Sequence, residues 1–163
     1  MLGTASGVTL ELLTPMRLVM AGVLAKRLTF PLLMRRLLRR LTDLTRTATG
    51  GHPGFDHEAL LQGAEVVRVV EDLTRWVDVP SYSSRQGRLT PIGGLMGTVT
   101  FEGNLQPFAP WLTWGAIVHI GKDATKGNGY YRLHWHRQGE GNLPSPCAGG
   151  GPIVPSPSGR GLG

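Results

Sequence analysis

The chain has 163 residues, 40% hydrophobic and 17% charged, which suits one globular domain with a core of modest size. Its 17 Lys and Arg against 11 Asp and Glu give a net charge of +6, and this basic excess favours a polyanionic partner, either nucleic acid or an anionic membrane surface. The single cysteine, Cys147, excludes an intramolecular disulfide and a cysteine-based zinc site, and it points to a reducing cytoplasm.

Near the N-terminus, Val8, Leu10 and Leu12 alternate with Thr9 and Glu11, the period of a half-buried strand, and Thr14-Pro15 bends or ends it. Residues 7–20 therefore read as strand, kink and strand extension. The apolar run over residues 8–38 is broken by Glu11, Pro15, Arg17, Lys26, Arg27 and Pro31, so it is neither a signal peptide nor a membrane span, and no membrane is expected as partner.

From residue 30 or 31 to about residue 46 the period becomes helical. Leu33, Leu37, Leu41 and Leu44 share one side, Arg35, Arg36, Arg39 and Arg40 occupy a separate arc, and Pro31 fits the first turn. Arg17, Lys26, Arg27, Arg35, Arg36, Arg39, Arg40 and Arg46 face the single acid Asp43 in this stretch, so the N-terminal third carries the positive field. A solvated helix face accounts for the same letters.

The loop Thr49-Gly50-Gly51-His52-Pro53-Gly54 leads to Asp56, an N-cap with Glu58 behind it, and the spacing of Leu60, Ala64, Val67 and Val70 predicts a second helix to about residue 76. Extended segments follow over residues 82–90 and 95–102, with turns at Gly93-Gly94 and Gly103-Asn104. A short helix over residues 106–114 ends at Gly115, and a last strand covers residues 130–135. The order strand, helices, two strands, helix, strand is the βαββαβ of a ferredoxin-like α+β domain, with an antiparallel sheet covered by helices on one face. That domain is expected over residues 7–137. Residues 139–163 hold eight Gly, five Pro and three Ser, so residues 138–163 are expected to form a disordered tail.

Three groups of residues carry candidate chemistry. Gly121-Lys122-Asp123-Ala124-Thr125-Lys126-Gly127-Asn128-Gly129 sets three glycines and two lysines before a strand, a composition that brings amides and ammonium groups close to phosphate. The spacing is neither a Walker A loop nor a dinucleotide fingerprint, and a β-turn with solubilising lysines fits it too. Tyr82, Arg85, Gln86 and Arg88 can stack on bases and bond their edges, or simply keep an edge strand soluble. Among the histidines, His134 and His136 face the same side of a strand without a third ligand, so no metal or cofactor is expected. His119, in the apolar run Ile117-Val118-His119-Ile120, is either a packed histidine or a candidate general base.

Taken in order, these pieces resemble one family over residues 8–133. The matching elements are Leu13-Thr14-Pro15 with Arg17-Leu18, Leu32-Leu33 with Arg39-Arg40-Leu41, Trp76 with Asp78, and Tyr82-Ser83-Ser84-Arg85-Gln86. They continue with Gly93-Gly94-Leu95-Met96-Gly97, Gly103-Asn104-Leu105 with Pro107-Phe108, and Val118-His119-Ile120-Gly121-Lys122 running to Gly127-Asn128-Gly129-Tyr130-Tyr131-Arg132-Leu133. The chain resembles the C-terminal domain of CRISPR-associated precursor-crRNA-processing endoribonucleases of the RAMP superfamily, the Cas-six type.

The resemblance implies an RRM-like RAMP fold and recognition of CRISPR repeat RNA in antiviral defence, in the cytoplasm, with other Cas proteins of an effector complex as candidate partners. It implies metal-independent cleavage in which a 2′-hydroxyl attacks the neighbouring phosphate. By carry-over, Gly121, Lys122, Lys126, Gly127 and Gly129 cradle the RNA backbone, Arg85 and Gln86 position the strand, and the basic helix adds Arg36 and Arg40. The family's proton-transferring histidine generally lies in a preceding domain, so the catalytic residues here are unknown, with His119 a weak candidate. Departures from the pattern are Ser81 in place of a basic residue, Ala116 in place of an acid, and Lys126 and Asn128 in place of apolar loop residues. Two other expectations stay open: a non-catalytic RAMP scaffold subunit, and a truncated or decaying gene product without activity.

Overall fold

A computed structural model describes residues 5–83 and 88–137, without the side chains of residues 81–83, 88–91 and 137. Strand β1 (Ala5–Met16) buries Val8, Leu10 and Leu12 and turns Thr9 and Glu11 to the other side, as the alternation predicts. Its pairing with β6 shifts register between Leu12 and Met16, where Pro15 removes a ladder donor. A small hairpin follows, β2 (Val19–Met20) and β3 (Val23–Leu24).

Helix α1 (Phe30–Thr49) starts after an extended Thr29, carries Pro31 in its first turn, and ends at Gly50, whose left-handed φ of +69° lets its N–H donate to the Arg46 carbonyl. Phe30, Leu33, Met34, Leu37 and Leu38 are buried against the sheet. Phe30 meets Phe101 and Phe108 edge-to-face, with ring centroids 5.1 and 5.0 Å apart.

Helix α2 (His57–Ala64) is capped by Asp56, whose carboxylate accepts from the Glu58 and Ala59 amides. It stops twelve residues short of the position predicted for its end. Of the valines predicted as its later stripe, Val70 lies in strand β4 (Arg68–Asp72) and Val67 just before it, and Trp76 lies in β5 (Arg75–Ser83). β-Branched residues lose rotamer freedom in a helix, and here a free sheet edge was within reach.

The second correction concerns Gly93 and Gly94, expected in a turn. They lie inside β6 (Arg88–Glu102), which pairs antiparallel with β5 from Arg75↔Met96 to Ser83↔Arg88. A side chain at Gly94 would collide with Pro15, so glycine there serves close packing between strands. Helix α3 (Ala109–Val118), preceded by a 3₁₀ turn at Gln106–Phe108, and strand β7 (Tyr131–Arg137) complete the chain.

The strand order is β4-β6-β1-β7, with β5 also on β6 and every pairing antiparallel. This is the ferredoxin-like α+β arrangement expected from the element order, with α2 and the β5 extension added. The tail over residues 138–163 lies outside the described residues, and no helix among those described is long and apolar enough to cross a membrane.

Candidate nucleic-acid interface

The glycine loop is held almost entirely by backbone. Ile120 is buried and its N–H donates to the Gly129 carbonyl, while the Gly129 N–H donates to the Pro15 carbonyl. Gly129 sits at φ +74° so close to Ile120 that a Cβ would collide with the Ile120 carbonyl oxygen, which is why only glycine fits. The Lys122 N–H donates to Arg17 O at 2.8 Å, and the amides of Lys126, Gly127 and Asn128 donate to Asp123, Ala124 and Asp123 carbonyls.

Side chains complete the clamp. Thr14 Oγ1 donates to Gly127 O at 2.9 Å and accepts from the Tyr130 N–H at 2.9 Å. Arg17 Nη1 meets Asp123 Oδ2 at 2.5 Å, and Lys126 Nζ lies 3.3 Å from Asp123 Oδ1. Five of the loop's amides are already satisfied inside the protein, so the groups it presents outward are the exposed side chains of Lys122 and Lys126.

The loop faces the long β5–β6 hairpin across a shallow groove lined by Val79, Pro80, Ile92, Lys126 and Asn128. Arg85 and Gln86, expected to position the RNA strand, lie outside the described residues; Tyr82 belongs to β5 and Arg88 to β6. Trp76 and Asp78, matched as a pair in the sequence, bond to each other at 3.0 Å, and Lys26 caps the Trp76 ring at 3.1 Å.

Two arginines of α1 bond to backbone carbonyls of neighbouring elements. Arg36 donates to the Val19 carbonyl just beyond β1, and Arg40 Nη2 to the Val118 carbonyl at the end of α3, 3.5 Å away. Each is half-buried, whereas Arg35 and Arg39 are exposed. Arg36 and Arg40 therefore tie α1 to its neighbours.

His119 ends α3 with φ +58° and ψ 152°, its ring 5.2 Å from that of Tyr130. Its Nδ1 is buried without a partner among the described residues. His134 and His136 lie on the uncovered face of the sheet, where His134 Nε2 is 3.1 Å from Glu11 Oε2 and His136 Nε2 is 2.7 Å from Thr9 Oγ1. His57 bonds Thr42 Oγ1 at 2.9 Å, away from the loop.

Sequence reasoning missed Thr14, Arg17 and Asp123 as parts of this site. Thr14 and Arg17 flank the kink at Pro15, and no local pattern announces a partner more than 100 residues away.

The fold recurs in solved structures. Over 82% of this chain it matches a partial Cas6-RT-Cas1–Cas2 complex, with TM-score 0.61, 17% identity and 23% of that chain covered. It matches Thermus thermophilus Cas6 with TM-score 0.59 and 16% identity, over 80% of this chain and 54% of that one. A Cas6 product complex matches with TM-score 0.55 and 20% identity, over 82% and 53%. The chain thus spans about half the length of these Cas6 structures, and 23% of the matched chain of the Cas6-RT-Cas1–Cas2 complex. No curated protein sequence matches it. The family model for the CRISPR-associated endoribonuclease Cas6 matches residues 10–131, and on that extent the chain belongs to the Cas6 family.

Proposed function

We propose that this domain, spanning residues 7–137, grips CRISPR repeat RNA in the groove between the glycine loop and the β5–β6 hairpin, as one part of a repeat-processing endoribonuclease. The observation that carries this reading is the clamped loop, whose Lys126 lines a groove with Val79, Pro80 and Ile92 of the β5–β6 hairpin and whose Lys122 is exposed. A rigid backbone that presents two ammonium groups meets phosphates at little entropic cost, because the loop is ordered before RNA arrives. Arg36 and Arg40 strengthen the field, while Arg85 and Gln86 bond bases or phosphates of the strand. Gly121, Gly127 and Gly129 serve the RNA by shaping this cradle.

The reaction served is attack of a 2′-hydroxyl on the adjacent phosphate, which needs proton transfer and stabilisation of the phosphorane's charge. The share of this domain is the grip and the orientation of the strand. Its setting is the cytoplasm, and the partners are repeat RNA and other Cas proteins; a Cas6-RT-Cas1–Cas2 complex among the structural matches supports the latter.

Replacing Lys122 and Lys126 by alanine tests the reading. Affinity for repeat hairpin RNA is expected to fall about tenfold at moderate salt, and the dependence of log affinity on log salt to become shallower by about 1.5 units. An unchanged salt slope would place the RNA elsewhere.

A further inference from the structure

His119 bears two costs that the fold does not require. Its backbone, at φ +58° and ψ 152°, occupies a region nearly reserved for glycine, and its Nδ1 is buried without a hydrogen-bond partner among the described residues. Loop closure gains nothing from the imidazole, since the Ile120 and Gly129 backbones hold each other and Gly129 also bonds Pro15. Strained residues of this kind persist where the side chain has a use.

The ring lies against Tyr130, with centroids 5.2 Å apart and planes 31° apart, and Tyr130 remains 38% exposed. Tyr130 is fixed in turn, because its N–H donates to Thr14 Oγ1 and its carbonyl accepts from the Leu13 and Thr14 amides. The two rings bracket the glycine loop in the chain, one at its entry and one at its exit, so they lie beside the lysine-bearing segment. With Nδ1 buried and the His119 ring set against that of Tyr130, the paired rings offer aromatic surface beside the loop.

We infer that His119 and Tyr130 form a stacking platform for an unpaired nucleobase of the RNA held by the loop. The inference rests on the RNA reading above and adds a base-binding subsite to it. Aromatic faces hold any base, so the platform recognises an unpaired nucleotide next to a stem and is indifferent to its identity.

The test compares the wild-type chain with His119→Gly and His119→Phe. The probes are repeat hairpin RNAs from the encoding genome, with 2-aminopurine at an unpaired position flanking the stem, and the same hairpins trimmed of unpaired nucleotides. His119→Gly is expected to unfold at a urea midpoint equal to or above that of the wild type. It should bind the flanked hairpin about tenfold more weakly and lose the quenching of 2-aminopurine, with the trimmed hairpin unaffected. His119→Phe restores both signals. A glycine variant that unfolds earlier than the wild type, or that keeps affinity and quenching, overturns the platform. If such retention accompanies weakened binding by the Lys122→Ala, Lys126→Ala variant, the platform alone is lost and the RNA reading survives. A wild-type chain that binds no hairpin overturns both.

Discussion

Arg17 and Asp123, 106 residues apart in sequence, meet in a 2.5 Å ion pair with only 15% and 19% of their side chains exposed. The pair fastens the end of β1 to the glycine loop. Arg17 also receives the Lys122 N–H on its carbonyl, so one residue holds the loop by both side chain and backbone.

Removing Asp123 leaves the Arg17 charge largely buried without its carboxylate, and removing Arg17 leaves Asp123 only the exposed Lys126 as a partner. Arg17→Met and Asp123→Asn are each expected to lower stability by about 1–3 kcal/mol and to speed exchange of the Lys122 amide. The double variant should recover part of that loss. A double-mutant cycle in urea measures the coupling, and additive effects would show that the pair contributes nothing.

Gly129 and Gly127 both have positive φ but differ in surroundings. A Cβ at Gly129 meets the Ile120 carbonyl, whereas one at Gly127 meets open space. Gly127→Ala is therefore expected to cost about 1–2 kcal/mol, the ordinary left-handed penalty, and Gly129→Ala clearly more. Equal urea midpoints for the two variants would mean that the close approach at Gly129 has no energetic weight.

Tyr131 is buried, with its hydroxyl donating to the Leu112 carbonyl at 2.7 Å, and burial pushes the phenol well above its usual range. The raised pKa is in the folded state, so the native protein holds the proton more tightly than the unfolded chain. Stability is therefore complete below about pH 10 and falls as pH rises past that value. Tyr131→Phe should lose about 1 kcal/mol at neutral pH for the missing hydrogen bond, and should show a flatter decline above pH 10. An alkaline profile identical to that of the wild type would assign the decline to other groups.

Much of the fold was legible because its signals are local. Val8, Leu10 and Leu12 alternate, Pro31 and Gly50 bound α1, and Asp56 caps α2, each by chemistry acting within a few residues. Val67 and Val70 misled because their spacing continues the helical stripe of Leu60 and Ala64, while the branching of the valines and the edge of β6 favour a strand. Gly93 and Gly94 look like a turn, yet they allow Pro15 and Trp76 to approach β6. The site was legible as composition, three glycines and two lysines before a strand. Its geometry was not, because the anchors Thr14 and Arg17 come from the other end of the chain.

The most direct test of the account is the affinity of the purified chain for repeat hairpin RNA from the encoding genome against an unrelated RNA duplex of equal length, at moderate salt. The grip described here predicts preference for the repeat hairpin by at least about tenfold, with affinity for both falling steeply as salt rises. Equal affinity for hairpin and unrelated duplex would contradict it.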